Sequence, residues 1–146
     1  MRKIKFRGKK VEDGLWATGY LIKCDGKTWI LHPEGIVTSY KKEEIFGKTE
    51  GWKAIVLPRV FVVEVIPETI GQFIGLHDIN KVEIYEDDIV DTGYDRWVVR
   101  FDNGSFYAVK PNTGSFLDLS REIINYYEMK VVGNIHDNPE LLEKIK

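Results

Sequence analysis

The sequence predicts a mainly β protein, α+β at most, in which antiparallel hairpins form a small barrel or two packed sheets. Three observations favour this class: short apolar and aromatic runs recur along the chain, Asp-Gly and Asn-Gly pairs separate several of them, and segments with helical character are few. Many short strands with regular turns are typical of small barrels and sandwiches. We therefore expect a single compact unit over residues 1–146 that ends in a short helix.

Three dipeptides between predicted strands indicate tight hairpin turns. Asp-Gly and Asn-Gly pairs adopt the positive φ angles of a type I′ turn, whose twist matches that of antiparallel strands. These pairs are Asp13-Gly14, Asp25-Gly26 and Asn103-Gly104. Further strands are predicted over residues 60–66, 84–90 and 127–135, where β-branched and aromatic residues are frequent.

Helical predictions are limited to three short segments. Residues 41–46 are compatible with one helical turn, and residues 119–126 with a short helix capped by Ser120. The tail is the strongest helical prediction, because Asp137 or Asn138 can cap it and Pro139 suits its first turn. Its apolar stripe should dock onto the β body, and consists of Leu141, Leu142 and Ile145.

Charge is distributed unevenly along the chain, although the net charge is only −2. Residues 1–66 carry 13 Lys/Arg against 8 Asp/Glu, a net of +5, whereas residues 67–146 carry 8 against 15, a net of −7. This division suggests a basic N-terminal subdomain, 1–64, and an acidic C-terminal β subdomain, 65–146. The asymmetry is compatible with a nucleic-acid face, with attraction between the halves within or between chains, and with an uneven solvated surface.

The N-terminal segment is the one candidate for contacts with nucleic acid. Its basic residues are interleaved with Ile4 and Phe6, a pattern that can follow phosphates. They are Arg2, Lys3, Lys5, Arg7, Lys9 and Lys10. A first strand with its polar face in water explains the same pattern and is the favoured interpretation. The sequence pI of about 5.9 also argues against a nucleic-acid-binding domain.

No motif predicts catalysis, a metal or a cofactor. The single cysteine, Cys24, excludes an internal disulfide and a cysteine-based zinc site within one chain. None of the histidines has a ligand-spaced partner, so we expect loop or surface positions for His32, His77 and His136. We expect no enzymatic activity and no cofactor.

The densest group of carboxylates lies on the predicted strand 84–90 and next to it. The group consists of Glu83, Glu86, Asp87, Asp88 and Asp91. Strand periodicity places Glu86 and Asp88 on one face and the other three on the opposite face. We interpret the group as a solvated strand edge that discourages pairing with other sheets.

No apolar run reaches the about 20 residues that a membrane span requires, and the charged N-terminus has no apolar segment behind it. We therefore expect no membrane association, no signal peptide and a cytoplasmic location.

Three segments of the chain resemble a known family. Residues 65–78 and 83–90 read VIPETIGQFIGLHD and EIYEDDIV, and residues 132–142 read VGNIHDNPELL. These segments resemble the YopX protein family of phages and prophages. The signature residues are Pro67, Glu68, Gln72, Gly75, Asp78, Tyr85, Asp88 and Pro139.

The resemblance implies a small, β-rich protein of phage origin, without an assigned activity or catalytic residues. It thereby implies the cytoplasm of a bacterial host, in agreement with a free cysteine. The family pattern has glycine where this chain has Lys81 and Asp87. If Asn80-Lys81 keeps a type I′ turn, Lys81 adopts a positive φ at some energetic cost.

Together these features favour a non-enzymatic phage accessory protein that binds an unidentified protein of the phage or host, or a second copy of itself. A homo-oligomer is slightly favoured because the two halves carry opposite charge. Two alternatives are kept: a small nucleic-acid-binding barrel that uses the basic N-terminal strand, and an enzyme whose site is assembled only in the fold.

Overall fold

A computed structural model of the chain describes residues 2–32, 39–45, 49–55 and 61–143. As predicted, the protein is mainly β, with antiparallel sheets and short helices. The strands are β1 Phe6–Lys9, β2 Trp16–Cys24, β3 Lys27–His32, β4 Ser39–Ile45, β5 Thr49–Ile55, β6 Phe61–Val65, β7 Gly71–His77, β8 Glu83–Tyr85, β9 Asp88–Asp91, β10 Arg96–Asp102, β11 Ser105–Val109, β12 Phe116–Asp118 and β13 Lys130–Asn134. The helices are a 3-10 turn, Pro67–Thr69, and two α-helices, α1 Arg121–Tyr126 and α2 Glu140–Glu143.

A six-stranded sheet has the order β6-β3-β2-β1-β7-β8, and β4 and β5 form a separate two-stranded sheet. Four strands of the larger sheet curve into a small barrel, because Lys10, just after β1, bridges back to Val65 at the end of β6. Val65 and Ile30 fill the interior of this barrel. Gly8 of β1 faces Val65 so closely that a Cβ there would lie 3.0 Å from the valine Cβ.

A five-stranded sheet with the order β12-β11-β10-β9-β13 forms the second layer. The main core lies between this sheet, β7 and β8 of the first sheet, and α1. Its fully or almost fully buried side chains are Ile74, Ile84, Val90, Trp97, Val99, Ala108, Ile124 and Met129. The strand β1 hydrogen-bonds to β7, so the six-stranded sheet continues across residue 64 into the C-terminal half.

Two of the predicted tight turns have the expected geometry. Both residues of Asp25-Gly26 and of Asn103-Gly104 have positive φ, and each pair closes a two-residue hairpin. The turn type predicted for Asp13-Gly14 is wrong. Only Gly14 has a positive φ, and its N–H donates to the Lys10 carbonyl at 2.9 Å, so the hairpin has a four-residue loop.

The turn at Asn80-Lys81 also differs from type I′, because only Lys81 has a positive φ, of 64°. Asp78 determines the geometry here. Its Oδ1 accepts hydrogen bonds from the backbone N–H groups of Asn80 and Val82, at 2.8 and 2.9 Å. Lys81 therefore adopts the energetically costly left-handed conformation that was predicted, but in a turn of a different type.

Two secondary-structure predictions are wrong. Residues 41–46 were expected to form a helical turn, but their described part belongs to β4, which pairs along its length with β5. The predicted strand 84–90 is two strands, β8 and β9, separated by a turn in which Asp87 has φ 70°. This turn interrupts the expected alternation, and Asp88 is buried.

The two α-helices begin where the sequence predicts. The Ser120 hydroxyl accepts a hydrogen bond from the Ile123 N–H and caps α1. The helix α2 follows Pro139, and the Asn138 carbonyl accepts a hydrogen bond from the Leu141 N–H at 3.1 Å. Leu141 and Leu142 are half-buried, whereas Ile145 lies outside the described residues.

Candidate functional site

The basic N-terminal segment is largely neutralised by carboxylates. Ion pairs join Lys5 to Glu83, Arg7 to Asp88, Lys9 to Asp137 and Lys10 to Asp13. Three of these four carboxylates come from the acidic half of the chain. The two remaining cations of the segment, Arg2 and Lys3, are exposed. Attraction between the two halves is thus satisfied in part within one chain.

The pair formed by Arg7 and Asp88 is the most deeply buried of these contacts. The arginine Nη2 donates to Asp88 Oδ1 at 2.6 Å, and the Tyr85 N–H donates to Asp88 Oδ2 at 2.7 Å. The guanidinium carbon lies 4.6 Å from the ring centroid of Trp16 and 4.8 Å from that of Tyr85. Such contacts fasten β1 to β8 and β9 from within.

Burial determines how the acidic groups here titrate. It raises the pKa of the Asp88 carboxyl above its ordinary value, although Arg7 opposes the shift. It also raises the pKa of the Glu86 carboxyl, whose Oε1 accepts from the Gln72 N–H at 2.9 Å. Burial, reinforced by Glu83, raises the pKa of Tyr85 to about 12, so this phenol stays protonated at neutral pH.

A second polar group surrounds the turn at Asp87. Its carboxylate contacts Arg100 on one side and His136 on the other, where Oδ2 lies 3.1 Å from the imidazole Nε2. His136 therefore occupies a turn, as predicted, but its side chain is only 17% exposed and is held by a carboxylate. The Asp87 carbonyl also accepts from the Ile135 N–H, which ties this turn to the end of β13.

Asp137 connects the segment after β13 to the N-terminal barrel. Its carboxylate contacts Lys9, accepts from the Trp16 Nε1–H at 2.8 Å and accepts from the Asn134 Nδ2–H at 3.1 Å. The hydrogen bond from Lys9, followed by those from Trp16 and Asn134, lowers the pKa of Asp137 to about 2.

The interpretation of the acidic group as a solvated strand edge is therefore wrong for its central members. Asp88 is 1% exposed and Asp87 is held between two basic side chains. These carboxylates join sheets and loops that are distant in sequence. Sequence reasoning missed this because the partners of the two aspartates lie 81 residues earlier, for Arg7, and 49 residues later, for His136.

Most signature residues have structural positions. Tyr85 and Asp88 belong to the buried network, and Asp78 is buried with Oδ2 accepting from the Val131 N–H at 2.9 Å. Pro67 and Glu68 are the exposed residues of the 3-10 turn, and Pro139 precedes α2. Gln72 and Gly75 lie on β7 and line a surface groove.

This groove has a volume of about 660 Å³ and lies between the N-terminal segment, β7, the β10–β11 hairpin and the start of α1. We call it the arginine groove. Six of its lining residues are apolar: Ile4, Ile74, Leu76, Phe101, Phe106 and Leu119. Of these, Ile4 and Phe101 are 54% and 47% exposed. Open apolar surface of this kind is typical of binding sites.

Two arginines supply the charge of the arginine groove. The Arg2 guanidinium carbon lies 5.9 Å from the Phe106 ring centroid, and Arg121 is the first residue of α1. The described residues that line the groove include no aspartate or glutamate. Among the described residues, neither arginine forms an ion pair. The groove thus combines an apolar floor with two uncompensated positive charges.

Sequence reasoning did not find the arginine groove. It placed Arg2 in a basic segment, but it had no signal for Arg121, which lies 119 positions further along the chain. The sequence signal closest to the groove is Phe101, a large apolar residue that stands one position before Asp102 and the Asn103-Gly104 turn. In the structure this side chain is exposed.

Within the part of the chain whose side chains are described, no three His, Cys, Asp or Glu residues are arranged to hold a metal ion. The described helices include none that is long and apolar enough to cross a membrane. Cys24 is free and exposed at the end of β2.

The fold and this site define a class: a small protein of antiparallel sheets, held together internally by contacts that include the signature residues Asp78, Tyr85 and Asp88, with an apolar, cationic groove on its surface. A family model described as YopX protein matches residues 5–143, so the chain belongs to the YopX family. The resemblance inferred from the signature segments is confirmed.

The crystal structure of protein EF1440 from Enterococcus faecalis is similar to this chain. The two are 23% identical, with a TM-score of 0.56 over 97% of this chain and 99% of that chain. At this identity the similarity shows a common fold. No curated protein matches the sequence.

Proposed function

We propose that this protein is a non-enzymatic interaction module that binds a segment of another protein in the arginine groove. The observation that carries the proposal is an open groove of about 660 Å³ with six apolar lining residues and two arginines that have no ion-pair partner among the described residues. Aromatic and arginine side chains are enriched where proteins bind one another, because they offer large contact area and directed hydrogen bonds.

The structure offers less support for the nucleic-acid alternative. Four of the six basic residues proposed for phosphate contacts are occupied by carboxylates: Lys5, Arg7, Lys9 and Lys10. Phosphate binding would have to compete with these pairs, one of which is buried. The floor of the arginine groove is also apolar rather than polar.

We further propose that the protein acts as a phage accessory factor in the cytoplasm of a bacterial host. Family membership and the free, exposed Cys24 support this. Exposed single thiols persist in reducing compartments and are uncommon where disulfides form.

The proposal is tested by site-specific photocrosslinking in host cells. Phe101, in the groove, and Tyr20, an exposed aromatic residue of β2, are replaced one at a time by p-benzoylphenylalanine. We expect an adduct with a specific protein from the Phe101 position and none from the Tyr20 control. The adduct protein is then purified and must bind the unmodified chain directly. Absence of a groove-specific adduct, or no binding between the purified proteins, would overturn the proposal.

Self-association is separated from binding of a different protein by light scattering after size exclusion. A mass near 16.9 kDa at every concentration would contradict the predicted homo-oligomer and leave the groove for another protein. An oligomer that dissociates with salt would support attraction between the oppositely charged halves, since salt screens exposed charges.

A further inference from the structure

We propose that the segment bound in the arginine groove is acidic, with aspartate or glutamate side chains next to a large apolar residue. This inference rests on the proposed function and adds the chemistry of the partner. The carboxylates would pair with Arg2 and Arg121, and the apolar side chain would contact the ring of Phe101 and its neighbours.

Charge complementarity is the main argument. The chain carries 23 acidic and 21 basic residues, and most described basic side chains near the barrel are already paired. The arginine groove is an exception, because its described lining residues include two cations and no carboxylate. A ligand with negative charge gains these two partners without displacing an internal ion pair, whereas a basic ligand would be repelled.

The apolar floor makes this pairing stronger than an ordinary surface contact. Phe101 and Phe106 pack with their ring centroids 4.8 Å apart, and Arg2 lies over the Phe106 ring. An apolar side chain that covers the rings removes water around the guanidinium groups. Arginine then binds a carboxylate through two parallel hydrogen bonds in a less polar environment, which strengthens the interaction.

The cationic surface continues beyond Arg121. A neighbouring depression of about 390 Å³ shares Leu76 and Arg121 with the groove and adds Lys81, for which the described residues provide no ion-pair partner. Its one carboxylate, Asp78, is buried and accepts three backbone hydrogen bonds, so its oxygens are engaged. An extended acidic segment would therefore meet a third cation after crossing Arg121.

The same surface is a poor match for nucleic acid. A phosphate chain requires positive charge at closely repeated intervals, because each nucleotide carries a charge. The arginine groove and its extension provide three cations, one engaged carboxylate and, in the groove itself, six apolar lining residues. An acidic protein segment, in which carboxylates alternate with apolar side chains, fits this arrangement of cations and apolar residues better.

A displayed library of random peptides tests the inference without knowledge of the natural partner. The library is selected on the wild-type protein and on a doubly substituted variant, Arg2→Glu with Arg121→Glu. A glutamate at the first position of α1 is favoured by the helix dipole, so the fold should tolerate this change. Lys23→Glu, an exposed charge reversal on β2 that changes the net charge by half as much as the double variant, is the control outside the groove.

We expect peptides selected on the wild type to be enriched in Asp or Glu beside Phe or Leu. Their affinity, measured by fluorescence anisotropy, should fall at least about tenfold in the double variant and less than about twofold in the Lys23→Glu control. It should also weaken as salt is raised. Circular dichroism of both variants establishes that they remain folded.

Three results would overturn the inference: no groove-dependent peptide, selected peptides without acidic enrichment, or tighter binding of a single-stranded oligonucleotide that competes with the peptides. These failures are distinguishable from failure of the proposed function. If Phe101 crosslinks to a protein that binds the chain directly through a neutral or basic segment, the interaction module stands and only the acidic chemistry is wrong.

Discussion

Replacement of Arg7 by methionine tests the role of the buried ion pair. The side chains of Arg7 and Asp88 are only 12% and 2% exposed, so the substitution leaves a carboxylate in the interior without its counter-charge. Removal of one partner of a buried pair costs about 3–5 kcal/mol. For a chain of this length, that loss corresponds to a decrease in Tm of about 10–16 °C. Urea denaturation, monitored by tryptophan fluorescence, measures the loss in the free energy of unfolding.

The pH dependence of the loss identifies its cause. Burial already raises the pKa of Asp88, and removal of Arg7 deletes the main opposing influence, so the pKa rises further. The folded variant then retains a proton at a pH where the unfolded chain has released it. Its free energy of unfolding therefore falls as pH rises above the ordinary aspartate value, and the deficit relative to wild type should be larger at about pH 7.5 than at about pH 5.

Two controls complete this experiment. Lys10→Met removes a more exposed pair, with Asp13, and should cost less than about 1 kcal/mol. The double substitution Arg7→Met with Asp88→Asn removes the stranded charge and keeps an acceptor for the Tyr85 N–H, so it should recover much of the loss at neutral pH. A deficit below about 1 kcal/mol, or one that does not vary with pH, would refute the reasoning.

Four further predictions concern stability. Lys81→Gly should stabilise the protein by up to about 1 kcal/mol, because Lys81 has a positive φ, and a lower Tm would contradict this. Gly19→Ala should destabilise by at least about 3 kcal/mol in urea, since a Cβ would lie 2.0 Å from the Leu31 carbonyl oxygen. Asp137→Asn should flatten the acid branch of the stability curve. Because the pKa of the folded Asp137 carboxyl is lowered, its ionised form stabilises the wild type above about pH 4, and this contribution disappears towards pH 2. We expect it to be about 1 kcal/mol at this exposed site. Identical acid unfolding curves of variant and wild type would contradict this prediction. Truncation after Asp137 removes α2 and the hydrogen bond from Arg96 Nη1 to the Leu141 carbonyl, so the Tm should fall, whereas an unchanged Tm would mean that the tail contributes nothing.

Local signals in the sequence predicted the elements that depend on local chemistry. The Asp25-Gly26 and Asn103-Gly104 turns form because both residues of each pair tolerate positive φ, and Ser120 caps α1 because its hydroxyl reaches an amide three residues later. These outcomes involve neighbouring residues alone. The class of the fold followed from the number and spacing of such signals.

Features that depend on distant residues could not be predicted in the same way. Nothing around Asp88 indicates burial, since its compensation comes from Arg7 on the first strand. The strand predicted over residues 84–90 was wrong for a related reason: the Asp87 N–H donates to the Val99 carbonyl, which fixes a turn where the composition favours a strand. The arginine groove likewise needs Arg2 and Arg121 to be brought together by the fold.

The position of β1 in the six-stranded sheet has a consequence for synthesis. This strand leaves the ribosome before the other described strands, yet one of its edges pairs with Gly71 and Gln72 of β7, and its arginine meets Asp88 later still. The nascent chain can form the β1–β2 hairpin early, but the second edge of β1 stays open until the following segments have emerged. Contacts over such sequence separations slow folding and expose strand edges to aggregation or chaperones. Premature termination before Gly71 would thus release a chain in which both the edge of β1 and the buried arginine lack their partners.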